Sequence, residues 1–332
     1  MKQVTSLLAA AALFAVAAGV RAPAAQAQDY TLRAATIGAP GGIQDTALQA
    51  FKAAAEKQSG GKLAITIYTG GSLGDQQSNI EAMQSGTLDI ATIETPITQV
   101  DPLMGVFALP YMFSDRAHVA AVMNGAVGES VRQRLAEKQG LRPLAYYEAG
   151  FRQITNNVRP IVKPADLKGV KMRTPGSKLR IKIFDTWGAN AAPLPYPELY
   201  TALQTGAFDG QENPLVEVKA SRFYEVQKYL SMTNHIYQPG FLLISEDVYR
   251  KLPADLQKVL TDAAAAGAAA SVEFGKAADT EVIELVKSKG MQVNDADMEA
   301  FRAASKPIWD EEAANLGPDA ADLIAKIQAA GK

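Results

Sequence analysis

Two octapeptides, 120 residues apart, constrain this chain more than any other feature. Ala82 to Asp89 reads AMQSGTLD and Ala202 to Asp209 reads ALQTGAFD, with Ala, Gln, Gly and Asp in the same places and small or apolar residues elsewhere. In each, a helical pattern stops at glycine and an apolar-Asp segment follows. The spacing is far too long for a solenoid, whose units recur every 20 to 50 residues or so. It fits two similar lobes; the alternative is an ordinary helix-glycine-strand connection recurring by chance. Shortly after each copy stands a polar residue able to face the space between such lobes, Glu94 in the first case and Asn213 in the second.

The pattern around the copies alternates between strands and helices. YTLRAATI at Tyr30 is an apolar strand candidate, a helix with Leu48, Phe51 and Ala55 on one side follows, and LAITIYT at Leu63 is a second strand. The order continues through a helix near 115 to 139 and the strand PLAYYEAGF, which implies an α/β sheet with helices on its faces. From Pro253 to about Lys289 the sequence predicts one long Ala-rich helix, opened by proline and closed by Gly290. At about 1.5 Å per residue it spans roughly 55 Å, enough to cross two lobes. Gly267 and Gly275 within it permit close packing or a bend.

The first residues resemble an export signal. Lys2 precedes an apolar run from Leu7 to Val20, and Ala25-Gln26-Ala27 has the form of a signal-peptidase site, so cleavage is expected after Ala27. The 14-residue run falls short of the roughly 18 apolar residues a membrane span needs. A soluble, exported protein of 305 residues is the expectation, about two domains long. Its 31 basic and 35 acidic side chains leave a formal charge of −4, with no basic field for nucleic acid or anionic lipid. With no cysteine, disulfides, thiol nucleophiles and a lipid anchor are excluded. Two distant histidines outside any HExxH pattern argue against a metal site, and no cofactor is expected.

Among motifs with chemistry, GGSLG at Gly70 matches the G-x-S-x-G nucleophile elbow between a strand and a helix, which makes a serine hydrolase using Ser72 the distant alternative. Only His118 and His235 could serve as its base, and neither is marked for the role. No phosphate-cradling glycine motif occurs. Asp209 and Glu212 in FDGQENP read first as turn chemistry. The arginines carry more. In DLKGVKMRTPGS, Val170 and Met172 alternate with Lys171 and Arg173, so Arg173 closes a short strand, and Arg152 follows YYEAGF at another apparent strand end. In open α/β folds ligands bind outside the carboxyl ends of strands, and an arginine there presents parallel donors to a carboxylate. A surface ion pair is the competing assignment for each.

The segments DLKGVKMRTP, PYPELYTALQTGAFDGQENPL and FYEVQKYLSMTNHIY, with GGSLGD, SGTLDIA, FALPYMF and LPADLQKV in matching order, make the chain resemble the DctP-type substrate-binding proteins of tripartite ATP-independent periplasmic (TRAP) transporters. That resemblance implies a two-lobed flytrap fold of α/β class with a long helix across both lobes. It places lobe I at 28–150 plus about 239–277, and lobe II at 151–238 plus about 278–332. It implies that Arg173 clamps a ligand carboxylate, that Arg152 and Asn213 join it, and, from the sialic-acid-binding members, that Glu94 and Tyr196 line the pocket. Those members carry asparagine where this chain has Gly176, which tells against sialate. The implied protein is a monomeric periplasmic binding protein and not an enzyme, with a small organic acid and the transporter's membrane subunits as partners. Two arginines call for a carboxylate, and Glu94 opposes a second one nearby while accepting hydroxyl hydrogen bonds. A hydroxylated monocarboxylate such as a sugar acid is therefore favoured, with C4-dicarboxylates and other keto or hydroxy acids as alternatives.

Overall fold

The computed structural model describes residues 29–330, and the expected leader at 1–27 lies outside them. β1 (Tyr30–Ala35), α1 (Ile43–Gln58), β2 (Leu63–Tyr68), α2 (Gln76–Gln84) and β3 (Ile90–Ile93) build a parallel unit with β1 between β2 and β3. α3 (Ile97–Val100), α4 (Arg116–Met123) and α5 (Ala126–Gln139) lead to the long strand β4 (Leu141–Asn156). The single helix expected near 115 to 139 is therefore two. The break falls at Asn124-Gly125, and the two helices meet so closely that a Cβ on Gly128 would lie 1.8 Å from the Met123 carbonyl oxygen.

A second parallel unit follows: β5 (Lys171–Thr174), α6 (Lys178–Thr186), β6 (Asn190–Pro193), α7 (Leu199–Gln204) and β7 (Gly210–Pro214), with β5 between β6 and β7. After α8 (Leu215–Ala220) and β8 (Tyr229–Met232), β9 (Tyr237–Ser245) returns to the first sheet, antiparallel to both β3 and β4. The two octapeptides share their helix-ending glycine geometry and key backbone bonds. Gly86 and Gly206 both end their helices at positive φ, and Leu88 and Phe208 both donate backbone N–H to the carbonyl of their alanine, Ala82 or Ala202. Asp89 accepts the Arg33 amide of β1 at 2.7 Å, and Asp209 accepts the Lys171 amide of β5 at 2.9 Å. The duplication is structural: one helix-to-strand joint is used once in each sheet.

β4 joins the sheets. From Leu141 to Phe151 it pairs with β9, and from Arg152 to Asn156 with β7. The register slips between Glu148 and Gly150, and Gly150 sits at φ +107°, a conformation that favours glycine. The change of sheet thus falls immediately before Arg152.

α9 (Glu246–Lys251) precedes α10 (Ala254–Ser288), a helix of 35 residues, roughly 50 Å. Leu256, Leu260, Ala263 and Ala264 of α10 belong to the core under the first sheet, whereas Ala278, Val282 and Val286 belong to the core under the second. Both its glycines serve close packing: a Cβ on Gly267 would lie 2.7 Å from the Ala47 carbonyl oxygen of α1, and one on Gly275 2.4 Å from Glu148 Oε1. β10 (Gln292–Asp295), α11 (Met298–Leu316) and α12 (Pro318–Ala330) complete the chain. Not all of this tail packs with the second sheet's elements. α12 buries Leu323 and Ile327 in the core shared with Val122 and Leu135 of α4 and α5, and the His118 ring on α4 meets the Ile327 carbonyl at 2.8 Å. Among the described residues no helix is long and apolar enough to cross a membrane.

Candidate ligand cavity

One cavity of about 200 Å³ is lined from both parallel units. Its walls come from the carboxyl ends of strands: Ile37 beyond β1, Glu94 beyond β3, Arg173 near the end of β5, Pro195 beyond β6 and Asn213 near the end of β7. Strand ends of a parallel sheet converge there with unpaired backbone and side chains free to reach a crevice. Arg152, at the point where β4 changes sheets, also lines it, as does Tyr196. All five residues singled out in the sequence thus meet in one place.

Arg173 is 2% exposed. Its Nε and Nη2 donate to the Leu194 carbonyl at 2.8 and 2.6 Å, and its guanidinium carbon lies 5.9 Å from the Tyr196 ring centre. Arg152 donates through Nε and Nη2 to the Glu212 carboxylate, and through Nη2 to the Glu212 carbonyl and Asn213 Oδ1, the last at 2.8 Å. Each arginine keeps Nη1 without an acceptor among the described residues, and neither Nη1 is sealed from solvent. Two fixed guanidinium groups, each with a free terminal nitrogen, can take a carboxylate.

Behind this pair is a buried ion cluster that the sequence did not disclose. Arg180 on α6, fully buried, donates Nη1 to both oxygens of Glu212 at 2.7 and 2.8 Å and Nη2 to Gln238. His235 Nε2 lies 3.2 Å from Glu212. Burial raises the Glu212 carboxyl, but Arg152 and Arg180 outweigh that and hold it well below the usual range. Burial also pulls Arg173 and Arg180 down to about 10, and keeps the His235 ring low, so it is neutral at pH 7. Glu212 is therefore no turn residue: it stands in the buried strand β7 and counters two of the three arginines.

The opposite wall is acidic. Glu94 Oε1 accepts from Gln44 Nε2 at 2.8 Å and from the Tyr147 hydroxyl at 2.9 Å, while Oε2 has no partner among the described residues. The Tyr196 hydroxyl donates to Glu217 and lies 2.7 Å from Ser221 Oγ. Burial pushes Glu217 up to about 7, and its Oε1 is sealed without a partner. Asn213 is turned into the protein, donating to Gln211 and accepting from Arg152.

Ser72 lies exposed in the turn between β2 and α2, closed by the Gly74 amide on the Gly71 carbonyl. His118 is engaged with Ile327 and His235 with Glu212 and Thr233. Neither histidine hydrogen-bonds Ser72.

Residues 34–315 match the family model described as bacterial extracellular solute-binding protein, family 7, DctP. The 2,3-diketo-L-gulonate-binding periplasmic protein YiaO of Escherichia coli is 32% identical over 86% of this chain and 87% of its own. A TRAP periplasmic solute-binding protein of Polaromonas sp. JS666, solved with D-erythronate, superposes with a TM-score of 0.87 at 33% identity, covering 90% of this chain and 98% of that one. The sugar acid binding protein DctPAm of Advenella mimigardefordensis, solved with galactonate, gives 0.87 at 31% identity, covering 91% and 99%.

Proposed function

Because the chain belongs to the DctP family of bacterial extracellular solute-binding proteins, we propose that its cavity holds a sugar acid, which the loaded protein presents to the membrane subunits of a TRAP transporter. The supporting observation is the pair of free Nη1 donors on Arg152 and Arg173 facing a carboxyl group, Glu94, in the same cavity. The arginines take the ligand carboxylate. Glu94 Oε2 and the amides of Gln76 and Gln99 face its hydroxyls.

Magnitudes explain why the site is enclosed. An exposed ion pair contributes about 0 to 1 kcal/mol, whereas micromolar binding needs about 8 kcal/mol. Several charge-assisted bonds in a desolvated cavity reach that range, because they are screened less and lose no competing water. Three arginines against Glu212 leave local positive charge that a carboxylate neutralises. Contacts from both lobes favour a closed form over an open one, and the transporter reads that difference. On this account lobe I is 28–150 with about 239–277, lobe II is 151–238 with about 278–332, and the protein acts as a periplasmic monomer.

A thermal-shift panel on the mature protein tests the assignment, since a ligand that binds only the native state raises the melting temperature. D-galactonate and related hydroxylated monocarboxylates should raise it most. A larger shift with succinate or malate than with any sugar acid would move the site to dicarboxylates, and no shift with any organic acid would contradict the reading.

A further inference from the structure

One side chain bridges two walls of the cavity. Gln99 on α3 donates Nε2 to the Gly176 carbonyl, 2.7 Å away, across the gap between the first parallel unit and the β5–α6 connection. Both residues, with Pro193, line the ligand cavity and also a separate groove on the other side, bounded by Lys178, Leu179 and Glu312. Gln99 and Gly176 therefore form the partition between the two spaces. The fit depends on glycine: a Cβ at 176 would lie 2.7 Å from Gln99 Nε2. The φ of Gly176 is outside the left-handed region, so an alanine there meets no backbone strain and its conflict is with the Gln99 amide.

We infer that Gln99 is a specificity-determining gate, which latches the two halves through Gly176 and limits ligand length by separating the cavity from the outer groove. This rests on the cavity being the ligand site. A short acid lies wholly behind the partition and gains from the latch. An acid carrying a second sugar has to pass through it, which the closed bridge forbids. Gln99 is exposed, so its single hydrogen bond carries the modest weight of a neutral bond near solvent, and a methyl at 176 meets only the far end of that flexible side chain, which yields at the cost of the same bond.

A double-mutant cycle with calorimetric titration of D-galactonate tests the coupling. Gln99→Ala should weaken binding about threefold to tenfold, Gly176→Ala by a similar factor, and the double variant should bind no worse than either alone, because all three lack the same bond. Losses that multiply, or a Gly176→Ala that binds as the unaltered protein does, would overturn the inference. Gln99→Ala should also bind lactobionate, an aldonate bearing a second sugar, more tightly than the unaltered protein does; equal or weaker binding would refute the length limit. Melting curves of the acid-free variants check folding. Should D-galactonate not bind the unaltered chain, the sugar-acid reading fails, yet the gate is still measured. With dyes attached through Glu81→Cys and Thr201→Cys, each of the three variants should show a longer interdye distance than the unaltered protein, and four equal distances would refute the latch.

Discussion

Replacing Arg173 by methionine should abolish tight binding while leaving the acid-free fold about as stable as before. Burial pulls the Arg173 guanidinium down to about 10, against an ordinary value near 12.5, a bias of about 3 kcal/mol against its charged form. Methionine, of similar reach, relieves that bias. In the other direction the Leu194 carbonyl loses both donors, at about 1 to 3 kcal/mol for an unsatisfied buried acceptor. The two nearly cancel, so the acid-free melting temperature should stay within about 4 °C, at about 2 °C per kcal/mol for a chain of this size. Binding has no such compensation. Truncating one partner of a buried charge pair costs about 2 to 5 kcal/mol, or roughly 30-fold to several thousandfold in Kd. For a micromolar site, 1 mM D-galactonate stabilises the unaltered protein by about 4 kcal/mol and the variant by about 2 kcal/mol or less. Titration calorimetry and melting curves with and without the acid read both quantities. Binding within threefold of the unaltered protein would refute the role of Arg173, and an acid-free melting temperature lower by more than about 10 °C would refute the energetic argument.

Glu217 gives a pH signature. Its folded value of about 7 exceeds the ordinary carboxyl value, so the folded state binds the extra proton, and its contribution is fully present below about 4.5 and lost as pH rises towards 7. Urea unfolding between pH 4.5 and 7.5 should show that slope, and Glu217→Gln should flatten it; an unchanged slope would contradict the assignment. Glu212, held low by Arg152 and Arg180, works in the other window, its contribution being lost as pH falls below about 4.5. Glu212→Gln breaks a buried ion cluster and should destabilise by about 3 to 5 kcal/mol in urea titrations, with a loss below 1 kcal/mol counting against it. Gly267→Ala drives a methyl against the α1 backbone at Ala47 and should lower stability by about 1 to 3 kcal/mol, where a neutral effect in the same assay would show that the two helices can separate.

The residues named in the sequence line one cavity because chain order brings their strands side by side. Arg173 and Asn213 stand near strand ends, and the repeated octapeptides mark the joints that lead to Glu94 and Asn213; Arg152, expected at a strand end, lies inside β4 and reaches the cavity because the strand changes sheets there. The charges behind the wall were harder to find. A signal for Arg180 existed: it lies on the face of α6 that buries Leu179, Ile183 and Phe184, where a solvated arginine has no place. Its partner Glu212 was hidden by a sequence, Asp-Gly-Gln-Glu-Asn-Pro, that favours turns locally but is held as a strand between β4 and β5. Gln99 had no local mark, because a gate is defined by what it meets 77 residues away. The packing of the tail had no local mark either. Nothing within α12 tells which lobe will accept Leu323 and Ile327; the apolar surface of α4 and α5 decides it.

A crystal structure of the mature protein grown with D-galactonate tests the central assignment most directly. The account predicts the acid inside the cavity with its carboxylate about 3 Å from Nη1 of Arg173 and of Arg152, and a hydroxyl on Glu94 Oε2. A carboxylate seated on other groups, with both guanidinium groups still turned to Leu194 and Glu212 alone, would contradict it.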